Sequence, residues 1–169
     1  MKRIILTGPA ASGKDFFKDF LTSKGFMPSV SHTTRPMRDT EEYGKTYHFI
    51  TRSEFSLMIY ERKFYEYKTF NNWNYGTTKD SFDRSDVFIF TPSGVNSLSP
   101  EVIEESIIVY FDIPEIDRIK RLQGRSDSDT IKRRMEADEK DFKDFDKWNI
   151  RVNDTNFDPE KVLGSFKNF

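Results

Sequence analysis

Hydrophobic residues come in short bursts along this chain, and the spacing within each burst predicts an element. Ile4-Ile5-Leu6, Val87-Phe88-Ile89-Phe90-Thr91 and Ile107-Ile108-Val109-Tyr110-Phe111 are continuous apolar stretches. Uninterrupted runs of that length fit strands of a parallel sheet covered on both faces. Asn149 to Asp154 reads as a further core strand. Helical spacing separates them. Phe16-Phe17-Lys18-Asp19-Phe20-Leu21 is amphipathic and closes at Gly25, and from Pro114 onward Ile116, Ile119 and Leu122 point inward at helical intervals. A closing helix is expected over Pro159 to Phe169. In the middle, Tyr47 to Ile50 and Phe64 to Tyr67 read as short strands around a helix from Ser53 to Arg62, with Phe55, Met58 and Ile59 on one side. Trp73-Asn74-Tyr75-Gly76-Thr77 follows at a turn. Alternation along the second strand would put Glu66 on one face with Phe64, where a carboxylate needs a dedicated partner unless the edge is exposed. Strands alternating with helices, with no repeat and no second domain, give one α/β domain.

Composition narrows the partners. Charged residues make up 33% of the chain, yet the net charge is only −1, so no global field draws in nucleic acid or an anionic membrane. Any anion site is local. The absence of cysteine excludes disulfides, thiolate metal sites and a thiol nucleophile. No apolar run spans a bilayer and Met1-Lys2-Arg3 opens no signal peptide, so a soluble, cytoplasmic protein is expected. The 17 phenylalanines most simply fill the core, with no aromatic platform for nucleic acid.

The first chemistry lies between the first strand and the first helix. In GPAASGKD, residues 8–15, Gly8, Gly13 and Lys14 fall on the GxxxxGK[ST] pattern of a P-loop. Such a loop, here Gly8, Pro9, Ala10, Ala11, Ser12, Gly13, Lys14 and Asp15, surrounds phosphate oxygens with the backbone N–H groups of its residues other than proline, and the lysine reaches the β- and γ-phosphates. The helix begins at the same place, and its amides and dipole add to the attraction. A plain glycine turn is the bland alternative. Asp15 departs from the pattern, standing where a Ser or Thr hydroxyl normally meets magnesium. An anion beside a phosphate is explained if Asp15 itself takes a magnesium ligand's place; otherwise it is a helix-start residue.

The densest polar cluster is SHTTRPMR, residues 31–38. Pro36 and the charges of 39–42 argue against regular helix, so Arg35 and Arg38 sit on a loop, either converging on a phosphate or solvated. His32 and His48, the only histidines, lack the spacing of a metal site and read as structural.

SVSHTTRPMR, then EYGKTYHF, then FYEY and NYGTT, in this order downstream of a P-loop, resemble the nucleotide-binding segment of guanylate kinases. The resemblance implies that Arg35, Arg38, Tyr47 and Tyr75 hold the acceptor's phosphate, while Glu66, with Ser31 and Thr77, reads the guanine edge. Guanine's ring N–H and amine form a donor pair that one carboxylate accepts and that adenine lacks. RLQGRSDSDTIKRRME is similar to the family's lid, in which the positions of Arg125 and Arg134 close onto the transferring phosphoryl group. By composition alone Arg121, Arg125, Arg133 and Arg134 would be a solvated face. One departure stands out: Ile89 and Thr91 occupy strand-end positions where the family usually carries aspartates, which puts part of the ribose, metal or arginine network in doubt.

The resemblance thus implies a P-loop NTPase fold with a core of 1–30, 80–124 and 145–169, an NMP-binding region of 31–79 and a lid of 125–144. It also implies magnesium-dependent phosphoryl transfer from ATP to GMP or dGMP by a monomer or homodimer, with Lys14, Arg125 and Arg134 catalytic; the expectation that Asp15 holds the metal comes from its own chemistry and not from the resemblance. The same chemistry on a broader set of deoxynucleotides, or a non-catalytic phosphopeptide-binding module, are the alternatives.

Overall fold

The computed structural model describes residues 2–70, 72–123 and 130–169. β1 (Arg3–Thr7) leads through the glycine loop into α1 (Lys14–Ser23). Next come β2 (His32–Thr33), β3 (His48–Phe49), α2 (Arg52–Tyr60), β4 (Phe64–Phe70), β5 (Trp73–Thr78) and α3 (Lys79–Arg84). The chain continues through β6 (Val87–Ile89), α4 (Pro92–Asn96), α5 (Pro100–Glu104) and β7 (Ser106–Phe111). It ends with α6 (Glu115–Leu122), α7 (Ile131–Phe142), β8 (Ile150–Val152) and α8 (Pro159–Gly164). These elements form two compact units, one of Met1–Phe26 with Asp86–Phe169 and the other of Met27–Ser85.

In the first unit, four parallel strands lie in the order β6-β1-β7-β8. The apolar runs are continuous because both sheet faces are covered. Ile4 and Leu6 join Phe17 and Leu21 of α1 in one layer. From β7, Tyr110 lies parallel to Phe142 of α7, with ring centroids 5.5 Å apart, and meets Phe145 and Trp148. Burying one such aromatic ring is worth about 1.5–3 kcal/mol. After β1 the chain returns to the sheet on one side as β6 and on the other as β7, so the loop after β1 stands at a topological switch point, where open α/β sheets bind ligands.

α6 differs from its expected orientation. Ile116 is exposed, whereas Arg118 is buried at 7% relative exposure. The closing segment also breaks, since α8 ends at Gly164 and Ser165–Asn168 continues as a 3₁₀ turn.

The second unit carries its own mixed sheet in the order β3-β2-β5-β4. Trp73 to Thr77 is not a turn but most of β5, paired antiparallel with β4 and β2. The chain reversal precedes it, with Asn72 at φ +63°. β4 is irregular as well. Phe64 faces Thr78 and Glu66 faces Thr77, so one extra residue bulges between them. Such an insertion reverses the pleat, and it moves Glu66 to the face opposite Phe64, against the alternation expected. Phe64, stacked on Phe55 of α2 at 4.5 Å, fills one face under Gly76, where a Cβ would meet the Phe64 ring at 2.7 Å. His32 and His48 lie on that same face with ring centroids 4.6 Å apart, tilted by 33°, and His32 meets the Phe64 ring edge-on. Burial, then the neighbouring His48, lowers the His32 pKa to about 4, so its ring is neutral near pH 7 and has a packing role.

Candidate active site

The P-loop is built on positive backbone angles. Gly13 has φ +96° and occupies the N-cap position of α1 with no side-chain cap. A Cβ there would meet Phe157 at 3.2 Å. Ala11 has φ +58°, a conformation that costs a residue with a Cβ some energy and persists only when its surroundings impose it. The Lys14 ammonium folds back onto its own loop, donating to Gly8 O at 2.5 Å, Pro9 O at 2.8 Å and Ser12 Oγ at 3.4 Å. These are the loop oxygens a phosphate would displace. Ala11 to Phe16 line a cleft of about 540 Å³ with Arg121, Asn156 and Phe157. Asp15 lies in the first turn of α1, its side chain 76% exposed and its Oδ1 accepting from Lys18 at 3.3 Å.

Two arginines of α6 serve this loop, and the sequence reading assigned neither of them that task. Arg121 donates from Nη1 to Ala11 O at 2.8 Å and from Nη2 to Thr155 O at 2.8 Å, tying the loop to the segment after β8. Arg118 donates to Ile113 O at 3.0 Å and pairs with Asp138 of α7 at 3.2 Å. Asp138 Oδ2 also accepts the Ala10 N–H at 3.0 Å. Burial pushes the Asp138 carboxyl up, against the opposing pull of the Ala10 N–H, Lys14 and Arg118. Arg134 lies on α7 one turn before Asp138. Arg125 lies outside the described residues.

The second unit assembles a different constellation on the face of its sheet away from Phe64. Ser31 Oγ and Thr77 Oγ1 are 3.2 Å apart, and the Thr77 N–H donates to Glu66 Oε1 at 3.2 Å. Three residues distant in sequence thus form one polar chain, Ser31 meeting Thr77 through the β2–β5 pairing and Glu66 through the β4 bulge. Burial raises the Glu66 pKa, and its hydrogen bonds with Thr77 and the charge of Lys68 only partly offset the effect. Nearby, Arg35 is not solvated. Its guanidinium grips Glu41 through two bonds, at 3.0 and 2.5 Å, and lies 5.6 Å from the Tyr47 ring centroid. Tyr47 in turn meets Tyr75 at 6.0 Å. Glu41 also accepts the Arg38 N–H at 2.8 Å. Burial alone would raise the Glu41 pKa, but these bonds outweigh it and hold the carboxyl below its usual range. Glu41 went unread inside a charged run, and what sets it apart, its low side-chain exposure of 10% and its bonds to Arg35 and Arg38, appears only in the fold.

Thr91, at the strand end where an acid was missing, caps α4 by accepting the Gly94 N–H. Among the described residues no group of three His, Cys, Asp or Glu could hold a metal, and no helix is long and apolar enough to cross a membrane.

A sequence model of the family described as guanylate kinase matches residues 1–163. The guanylate kinase of Buchnera aphidicola subsp. Schizaphis graminum is 32% identical over 96% of this chain and 84% of its own length. That of Wigglesworthia glossinidia brevipalpis is 33% identical over 86% of this chain and 76% of its own. The crystal structure of guanylate kinase from Anaplasma phagocytophilum superposes with a TM-score of 0.72 at 18% identity, covering 99% of this chain and 82% of that one.

Proposed function

The chain belongs to the guanylate kinase family, and on that premise we propose which residues carry the ATP-dependent phosphorylation of GMP. The observation that carries the proposal is the acceptor constellation: one polar chain from Ser31 through Thr77 to Glu66, beside an arginine and two tyrosines on one sheet face. Glu66 accepts the guanine donor pair. Arg35, Arg38, Tyr47 and Tyr75 hold the monophosphate, with Glu41 keeping Arg35 extended over Tyr47 until the phosphate arrives. We assign this acceptor site to the unit Met27–Ser85 and the lid to residues 125–144.

In the other unit, the P-loop binds ATP. Its amides orient the phosphates, and Lys14 exchanges loop carbonyls for β- and γ-phosphate oxygens. Transfer is loose, so charge spreads over the equatorial oxygens of the moving group. Arg134, and Arg125 with it, stabilises that charge and excludes water on closure. The acceptor phosphate is already nucleophilic, and no carboxylate acts as a base.

The donor set fits magnesium, which needs hard oxygens and is usually held by one or two carboxylates plus substrate phosphates. Asp15 is such a carboxylate beside the phosphate cradle, and the ion bound there would neutralise phosphate charge. Asp15→Asn is expected to raise the magnesium concentration needed for half-maximal rate sharply, and adding Thr91→Asp to recover part of the loss. Unchanged magnesium dependence would leave Asp15 as a helix-start residue paired with Lys18.

The assignment as a whole is tested by a panel of nucleoside monophosphates with ATP and magnesium, read as ADP formed. GMP and dGMP should be the good acceptors and AMP a poor one. Equal kcat/KM for AMP and GMP would sink it.

A further inference from the structure

We infer that Asp138 is a positioning residue for phosphoryl transfer: it holds α7, and with it Arg134, in register with the P-loop. The inference rests on the role given above to Arg134. Burying a carboxylate and a guanidinium is costly, and apolar side chains of similar volume usually serve stability as well or better. Arg118 and Asp138 are nonetheless buried, at 7% and 9% relative exposure.

What the pair holds is the loop. Asp138 Oδ2 accepts both Arg118 Nη1 at 3.2 Å and the Ala10 N–H at 3.0 Å, while Arg118 Nη1 reaches Ala10 O at 3.5 Å. Both sides of one residue's backbone in the loop are gripped by charged groups. The next carbonyl, that of Ala11 at φ +58°, is taken by Arg121. Two successive loop carbonyls are therefore tied to α6 and one amide to α7.

The geometry of α7 gives this tie a consequence. Arg134, Asp138 and Phe142 recur every four residues, so they lie along one stripe of the helix. Phe142 fixes one end by stacking on Tyr110 of β7. Met135 of α7 also meets Arg118 Nη1 at 3.6 Å, and the helix packs against α4 and α6. Asp138, a turn away from Phe142, adds a bond from this helix to the P-loop backbone, through the Ala10 N–H, and so fixes how Arg134, about 6 Å further along the axis, is presented relative to that loop. The same carboxylate feels the Lys14 charge. Asp138 thus joins the loop that orients the donor phosphates to the helix that carries a lid arginine.

The test uses the full chain in steady-state assays with ATP and GMP, with melting followed by circular dichroism. Asp138→Ala should lower kcat by roughly ten- to a hundredfold, the loss typical of a misplaced catalytic group, without raising KM for GMP. Asp138→Asn keeps an acceptor for the Ala10 N–H and should lose less. Because either variant leaves the Arg118 guanidinium buried without its counter-charge, Arg118→Met with Asp138→Leu removes the pair together. That double variant should melt near the wild type and still show the low kcat. Recovery of both melting temperature and kcat would make the pair purely structural and overturn the proposal.

Arg134→Met is measured alongside. If Asp138 acts through Arg134, adding Asp138→Ala to Arg134→Met should cost little further, since the two losses share one cause. Additive losses would overturn the proposal. Full activity of Arg134→Met would instead remove the lid role from Arg134, and a wild-type protein inactive on GMP would fail the activity itself.

Discussion

Lys14→Ala is expected to reduce ATP-dependent GMP phosphorylation by a hundred- to a thousandfold or more, on the order of the loss when one preorganised electrostatic group is removed, while GMP binding stays close to wild type. The ammonium is ready for the task. Its partners include the Gly8 and Pro9 carbonyls and the Ser12 hydroxyl, neutral acceptors that a charged phosphate readily outcompetes. At 4 Å and an effective dielectric of 20, opposite unit charges attract by about 4 kcal/mol. Arg118 and Arg121 do not stand in for it, since they are engaged with Asp138 and with loop and chain carbonyls. Folding should survive, because Lys14 is only partly buried and the carbonyls it leaves can be hydrated. The acceptor residues from Ser31 to Thr77 belong to a different compact unit. Calorimetric titration of GMP into the variant separates the two sites. Loss of GMP binding along with turnover would contradict their independence.

The parts of the fold legible in the sequence are those governed by local period. The runs Ile4 to Leu6, Val87 to Thr91 and Ile107 to Phe111 gave parallel strands because apolar residues follow one another without interruption, the second strand stopping at Ile89, and Gly13 marks the entry to α1 because its φ of +96° disfavours any side chain. The β4 bulge was not legible. It depends on how Phe64 and Glu66 pair with a strand several residues downstream, and alternation within β4 alone pointed Glu66 the wrong way. The α6 orientation failed for a related reason. Helical spacing nominated Ile116 as inward, yet Arg118 took the buried position because Asp138, twenty residues on, neutralises it there. Charged residues read singly look solvated, and the partner that buries them becomes visible only after folding. The same blindness hid Glu41 behind Arg35 and Arg121 behind the Ala11 carbonyl.

Glu66 is where the expected effect on selectivity is largest. Glu66→Ala should lower kcat/KM for GMP by roughly ten- to a hundredfold, from the 1.5–3 kcal/mol carried by a hydrogen bond to a charged group, and leave the slow reaction with AMP little changed. Glu66→Gln should lose nearly as much despite its matching shape, because its amide turns a donor toward guanine's donors. Ionisation gives an independent signature. Guanine's donors need the charged carboxylate, and burial raises the Glu66 pKa, so KM for GMP should begin to climb in acid at a pH above the ordinary carboxylate range of about 4.3. In Glu66→Gln that climb should be absent. Stability should move the other way. A carboxyl with a raised folded pKa contributes unfavourably once it ionises, so near pH 7 Glu66→Gln should melt no lower than the wild type. A variant that kept its preference for GMP and instead lost its fold would make Glu66 a structural residue of the β4–β5 hairpin and leave guanine recognition to other groups.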